Sequence, residues 1–208
     1  MDTKLYTLFA PNFINEAVVR KYKRGGFSLS PGLVGMVLEG VVAVDKSHSD
    51  AEESVSTLRL ASFGDLINIE QIFKEDGSDE NLQYVSETAQ TVLALLNAAH
   101  FKHKLSGSSV EVQNTVSQEL LSQFIKINTD IGQSLVGSNR ATAPVRVLWA
   151  LRRFQKASNT IGPMQLTRER LAIHTGLSLR TISRTLRQLQ TDGIITCRDR
   201  TDLIINED

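Results

Sequence analysis

Between residues 16 and 97 the apolar positions come in short runs separated by Gly and polar clusters. Runs of this length bounded by turn residues read as strands, at Ala17–Tyr22, Leu33–Leu38, Val41–Asp45, Val55–Ala61 and Thr91–Leu96. Turn signals stand at Gly25-Gly26, Pro31-Gly32, Gly40 and Gly77, and the polar stretches Ser47–Ser54 and Lys74–Asn81 read as hairpin loops. Val41, Val42 and Val44 are β-branched and suit a pleated, half-buried surface. Many short strands at this spacing predict a sandwich or barrel of the jelly-roll kind over residues 1–107.

The period then changes. Ser109 is placed to cap a helix, and Val116, Leu120, Phe124, Ile127, Ile131 and Leu135 recur at steps of three and four. A helix over 108–137 would run about 40 Å at 1.5 Å per residue. Leu121, Ile125 and Val136 widen the stripe, so one side can meet the β-domain while another meets a second copy of the chain. A helix of this length predicts a dimer seam along the stripe, rather than a cover for its own domain alone. Gly137-Ser138-Asn139 and Pro144 predict a hinge over 138–144. Beyond it a helix from Val145 to Lys156 would bury Leu148, Leu151 and Trp149 and leave Arg146, Arg152, Arg153 and Lys156 in water, before a turn at Asn159–Pro163.

The most specific pattern lies between 165 and 196. Thr167 is an N-cap candidate for a helix over Arg168–Thr175, with Leu171 and Ala172 inward. Gly176 supplies a residue that takes positive φ freely, and Leu177 plugs the core below it. Ser178 caps a second helix, Leu179–Thr191, whose Ile182, Leu186 and Leu189 face inward and whose Arg180, Thr181, Ser183, Arg184, Arg187 and Gln188 face out. Two short helices around a Gly turn, the second basic on its outer face, predict a helix-turn-helix. Ile194–Thr196 and Leu203–Ile205 can pair around Arg198, Asp199 and Arg200 as a wing. The fold class is therefore α+β, with residues 145–208 a winged helix-turn-helix domain.

Charge agrees with that division. The net charge of the 208 residues is zero, but residues 145–208 carry eleven Lys/Arg against six Asp/Glu, and residues 1–144 carry twelve against seventeen. A basic tail on an acidic front predicts a polyanionic partner for the tail. Arg donates two hydrogen bonds to guanine O6 and N7, so Arg180 and Arg184, with Ser183 beside them, are the expected base readers. Thr167, Arg168, Ser178, Thr181, Arg198 and Arg200 are the expected phosphate contacts. The single cysteine, Cys197, can build neither a disulfide nor a Cys-rich metal site, and no metal or other cofactor is predicted. No apolar run reaches eighteen residues and the first thirty residues do not read as a secretory signal, which together predict a cytoplasmic protein without membrane contact.

Segments Gln165–Arg168, Leu171-Ala172, Gly176-Leu177-Ser178, Thr181–Arg184 and Leu186 together resemble the Crp–Fnr family of bacterial transcription regulators. Val37–Val44 and Phe63-Gly64-Asp65 resemble that family's cyclic-nucleotide-binding-like β-roll, which implies a double-stranded β-helix over residues 1–107. The resemblance implies a homodimer on a roughly palindromic DNA operator, with RNA polymerase a further candidate partner and an effector often held in the roll. Members that bind cyclic nucleotides use a Gly-Glu pair and an Arg-Ser pair; here Gly64-Asp65 and Glu80-Asn81 stand at those places. A carboxylate repels a phosphate, so this candidate pocket predicts no cyclic-AMP binding. The N-terminal half lacks the cysteines of the iron–sulfur members, and His48, His100 and His103 are read as surface or hydrogen-bonded histidines rather than haem ligands. Where many members carry Glu on the recognition helix this chain has Arg180, which predicts a different operator base pair at that position, with guanine expected.

Two other classes compete with a dimeric regulator. A signalling adaptor would use the β-domain for a protein partner and carry its basic tail incidentally. A cupin-type metalloenzyme would need clustered His and carboxylate ligands on neighbouring strands, and only His48 lies in the strand region. No nucleophile–base pattern or phosphate loop appears, so an enzyme is not expected.

Overall fold

The computed structural model describes residues 16–47, 55–73, 82–160, 162–198 and 202–206, with side chains described except at 135–140. The strands are β1 (Val18–Phe27), β2 (Leu33–Glu39), β3 (Val42–Ser47), β4 (Val55–Ala61), β5 (Leu66–Ile67) and β6 (Leu82–Asn97), with a 3₁₀ turn at Ile69–Ile72. They form one antiparallel sheet in the order β4-β3-β6-β2-β5, with β1 also paired to β6. The sixteen-residue β6 is the spine. Its first half pairs β3 (Val42 opposite Ser86), and its second half pairs β2 (Gly35 opposite Leu95). Thr91–Leu96 was legible as a strand because it is the apolar end; the polar half before it is held by pairing on both sides.

Gly25-Gly26 do not turn the chain. They lie inside β1, where the register slips between Lys23 and Gly25 opposite the bend of β6, and glycine absorbs that bulge. Gly40 does turn it, at φ +84, in a site where a Cβ would lie 2.5 Å from Thr88 Oγ1 and 2.6 Å from the Gln90 carbonyl. The loops expected around 48–54 and 74–81 lie outside the described residues, as does Gly77.

Helix α1 (Ala98–Ser106) follows, capped by the Asn97 side chain, which accepts from the His100 amide at 2.9 Å. Sequence reading missed it, since only Ala98 and Phe101 are buried along it. Helix α2 (Val110–Arg140) starts at Ser109, whose hydroxyl accepts from the Val112 amide. Its backbone is helical through Gly137–Arg140, so the expected hinge over 138–144 contracts to Ala141 and Thr142, after which α3 runs from Ala143 to Ser158. Pro144 sits in the first turn of α3, where its missing N–H costs nothing.

The apolar stripe of α2 packs at least in part on its own domain. Val116 and Leu120 are buried in the core that β2, α1 and the 3₁₀ turn share, with Phe124 and Ile127 packed against it. The Leu135 side chain lies outside the described ones. Among its described side chains, Leu121 and Ile125 are exposed apolar residues on the opposite side of α2, each 60% accessible, and Val110 is exposed at its first turn.

A second sheet, β7-β9-β8, closes the C-terminal domain: β7 (Met164–Gln165), β8 (Ile195–Cys197) and β9 (Asp202–Ile205). The β8–β9 ladder pairs Ile195 with Ile205 and Cys197 with Leu203, the expected wing shifted by a residue, while β7 was not anticipated. The domains share a core. Val41, Ala43 and Leu60 of the roll pack in one cluster with Val147, Leu151, Phe154, Leu171 and Ile182.

Candidate nucleic-acid interface

Helix α4 (Arg168–Thr175) and helix α5 (Leu179–Thr191) have the bounds their sequence signals predict. Thr167 accepts from the Arg170 amide at 3.2 Å and Ser178 from the Thr181 amide at 3.2 Å, which satisfies one orphan donor at each helix start. Gly176 sits at φ +63, and a Cβ there would approach Arg146 Nη2 at 3.1 Å. That guanidinium donates to the Thr175 carbonyl and fastens the turn from below.

Ile182, Leu186 and Leu189 anchor α5 in the core, and Thr185 joins them. The opposite face presents Arg180, Thr181, Ser183, Arg184 and Arg187 around one open depression of about 440 Å³. Arg180, Arg184 and Arg187 are exposed, while Thr181 and Ser183 are half-buried between them. The Ser178 and Thr181 hydroxyls lie 2.9 Å apart at the helix start. Arg168 is exposed beside Thr167, and Arg198 is exposed on the wing; Arg200 lies outside the described residues. The structure places Arg180, Thr181, Ser183 and Arg184 on one basic face of α5, with Ser178 at its cap, Thr167 and Arg168 at the start of α4 and Arg198 on the wing of the same domain.

The expected solvation of α3 is partly wrong. Arg153 is half-buried, donating to Ser134 Oγ at 2.6 Å and to the Leu58 carbonyl at 3.1 Å, and it lies 5.1 Å from the Trp149 ring centre. Burial lowers its pKa. Arg146 is likewise occupied under the turn, whereas Arg152 and Lys156 are exposed. Val147, Ala150, Leu151 and Phe154 form the buried side, with Leu148 and Trp149 half-buried.

Sequence reasoning missed a buried ionic cluster between the domains. Arg170 of α4 donates to Asp45 of β3 at 2.7 Å and, through Nε, to Glu87 of β6 at 2.7 Å. His174 Nε2 lies 2.9 Å from the same Glu87 oxygen, and Thr57 donates to Asp45 at 2.7 Å. Asp45 and Glu87 are 1% and 2% accessible. Burial alone would raise the Glu87 carboxyl, but the hydrogen bond from His174 and the positive charge of Arg170 outweigh it and hold the pKa below its ordinary value.

In the candidate effector pocket, Asp65 is 2% accessible and its oxygens are taken by the Ser62 amide and by Lys126 of α2. Glu80 and Asn81 lie outside the described residues. A separate cavity of about 200 Å³ sits between the roll and α2, lined among others by Leu58, Arg59, Asn68, Tyr84 and Ile127. Among the described residues no cluster of three metal-ligating side chains occurs, and no helix is long and apolar enough to cross a membrane.

The described elements are a curled antiparallel sheet, a long connecting helix and a winged helix-turn-helix. Residues 145–208 match the Crp-like helix-turn-helix domain family. The whole chain has the fold of CRP/FNR-type regulators. It is similar to the c-di-GMP-responsive global regulator CLP of Xanthomonas campestris, at TM-score 0.80 and 18% identity over 95% of this chain and 98% of that one. It is also similar to FixK2 of Bradyrhizobium japonicum, at TM-score 0.71 and 22% identity over 92% and 93% of the two chains. A nucleotide-binding protein of Chromobacterium violaceum is 26% identical over 134 residues, 62% of this chain. That match spans about half (48%) of the relative's length.

Proposed function

We propose that the chain is a sequence-specific transcription regulator that binds a roughly palindromic operator as a homodimer. The observation that carries this reading is the outer face of α5, where three exposed arginines and two hydroxyls share one depression. Arg180 and Arg184 read base edges, with Ser183 between them in the groove. Thr167, Arg168, Ser178 and Thr181 hold phosphates, and Arg198 and Arg200 add contacts from the wing. The exposed Leu121 and Ile125 supply the seam, with Asn114, Gln118 and Thr129 along the same outward side of α2. Pairing there sets two recognition helices about 34 Å apart, one turn of DNA. RNA polymerase is the natural further partner of such a regulator, and no catalysis is involved.

Regulation by a small effector rests on the cavity beside Arg59. Its volume of about 200 Å³ is below the roughly 300 Å³ at which drug-sized ligand pockets begin. With Asp65 already committed to Lys126, a small ligand suits this roll better than cyclic AMP.

Selection from a randomised DNA pool tests the reading. A two-fold half-site is expected, with guanine facing Arg180. Arg184→Ala should weaken binding to the selected operator by about 1–3 kcal/mol and relax preference at one base pair, with the fold intact because the side chain is exposed. Failure to enrich any duplex, or unchanged binding by the variant, overturns it.

A further inference from the structure

One side of α3 gathers three cations around an indole. Trp149, Arg152, Arg153 and Lys156 stand within two turns of one another, and all four line a cleft of about 660 Å³. Its other walls are the turn at 62–65 between β4 and β5 and the flank of α2 that carries Gln123 and Lys126. The volume lies within the roughly 300–1,000 Å³ typical of small-molecule sites. The cleft shares no lining residue with the cavity beside Arg59, so it is a separate space and not an extension of the roll's interior.

Charge in the cleft is only partly balanced. Lys126 pairs with Asp65, whose other carboxylate oxygen accepts from the Ser62 amide. Arg153 is held by Ser134 and the Leu58 carbonyl, and it feels the charge of Asp130. Arg152 and Lys156 are exposed and have no hydrogen bond or ion pair among the described residues. The remaining acid, Glu119, lies fifteen residues before Ser134, about 22 Å along α2 and well beyond a screening length of roughly 8–10 Å. Exposed cations on a helix are ordinarily solvated, but these two flank an aromatic ring inside a concavity. Phe63 stands on the lip formed by the roll, 36% accessible. Gln123 adds a polar demand, since its Oε1 is buried and accepts no hydrogen bond.

We propose that this cleft binds a flat aromatic anion, an organic acid of two or more rings. Arg152 and Lys156 hold its anionic group, Trp149 and Phe63 meet its ring system, and an N–H or O–H of the ligand donates to Gln123 Oε1. The volume asks for more than one ring, and the indole asks for a flat one. Such a ligand touches the roll, α2 and α3 together, so its binding bears on both domains at once. The assignment does not depend on how α5 is read.

The chain has a single tryptophan, so tryptophan emission reports on this cleft. The full chain is titrated with anilinonaphthalenesulfonate, which joins two ring systems, an anion and an N–H, and with phenylnaphthylamine, which lacks only the sulfonate. The sulfonate probe should bind saturably at one site per chain, with energy transfer from Trp149, and about tenfold more tightly than the neutral probe. A combined Arg152→Gln, Lys156→Gln variant should lose that preference and bind both probes alike. Gln123→Leu should weaken the sulfonate probe severalfold. Unchanged thermal melts show that the variants fold. Equal affinity of the two probes for the wild type, binding that does not saturate at one site, or either variant binding as the wild type does overturns the proposal.

Discussion

At single positions, strain and buried charge set the largest effects. Gly40 combines a left-handed backbone with no room for a side chain. Gly40→Ala should destabilise the protein by about 2–4 kcal/mol, read as a lower urea midpoint with unchanged slope. Arg170 neutralises two carboxylates with almost no water access. Arg170→Met should cost about 3–5 kcal/mol, because Asp45 and Glu87 would be left buried without it. Glu87 also gives stability a pH dependence. Its folded pKa is depressed, so the stability it contributes is present above the ordinary carboxyl value of 4.5 and is lost as pH falls through the lower folded value. Thermal melts of Glu87→Gln between pH 6 and 3 should fall less steeply than those of the wild type. Cys197 needs no such test to be read: burial raises its thiol pKa, which makes it a poor thiolate.

Among elements, the two sides of α2 differ: one fills the domain core, and the other carries the proposed seam. Leu120→Ala empties part of the domain core and should cost about 2–5 kcal/mol of stability. Leu121→Glu with Ile125→Glu should leave the melting temperature nearly unchanged and shift the sedimentation coefficient from dimer to monomer. A monomeric wild type would remove the seam. The helix also shows what sequence can and cannot convey. Its start was legible because a Ser cap and an apolar period are local signals, and so were Thr167, Gly176 and Ser178 around the helix-turn-helix. Which side of the stripe faces inward depends on where β2 and α1 stand, and no spacing along α2 encodes that. Helix α1 stayed hidden because two buried residues make too faint a period.

Over the whole molecule, the β-roll and the winged domain were each legible, and their joint was not. Asp45 and Arg170 are 125 residues apart, and Glu87 and Arg170 are 83 apart, so the cluster joining them has no sequence pattern at all. The basic tail and the recognition helix could be read together because their residues are close in the chain.

The continuous apolar packing from Val41 and Leu60 to Leu151 and Ile182 has a consequence for how this protein can be divided. Severed at Ala141, the C-terminal piece would carry a raw hydrophobic scar and should aggregate or bind detergent, unlike a free-standing module. Heat should melt the intact chain in one transition instead of two. Any regulatory swing of the reading head must first tear this weld open, which makes intermediate angles costly and favours two discrete settings over a sliding scale.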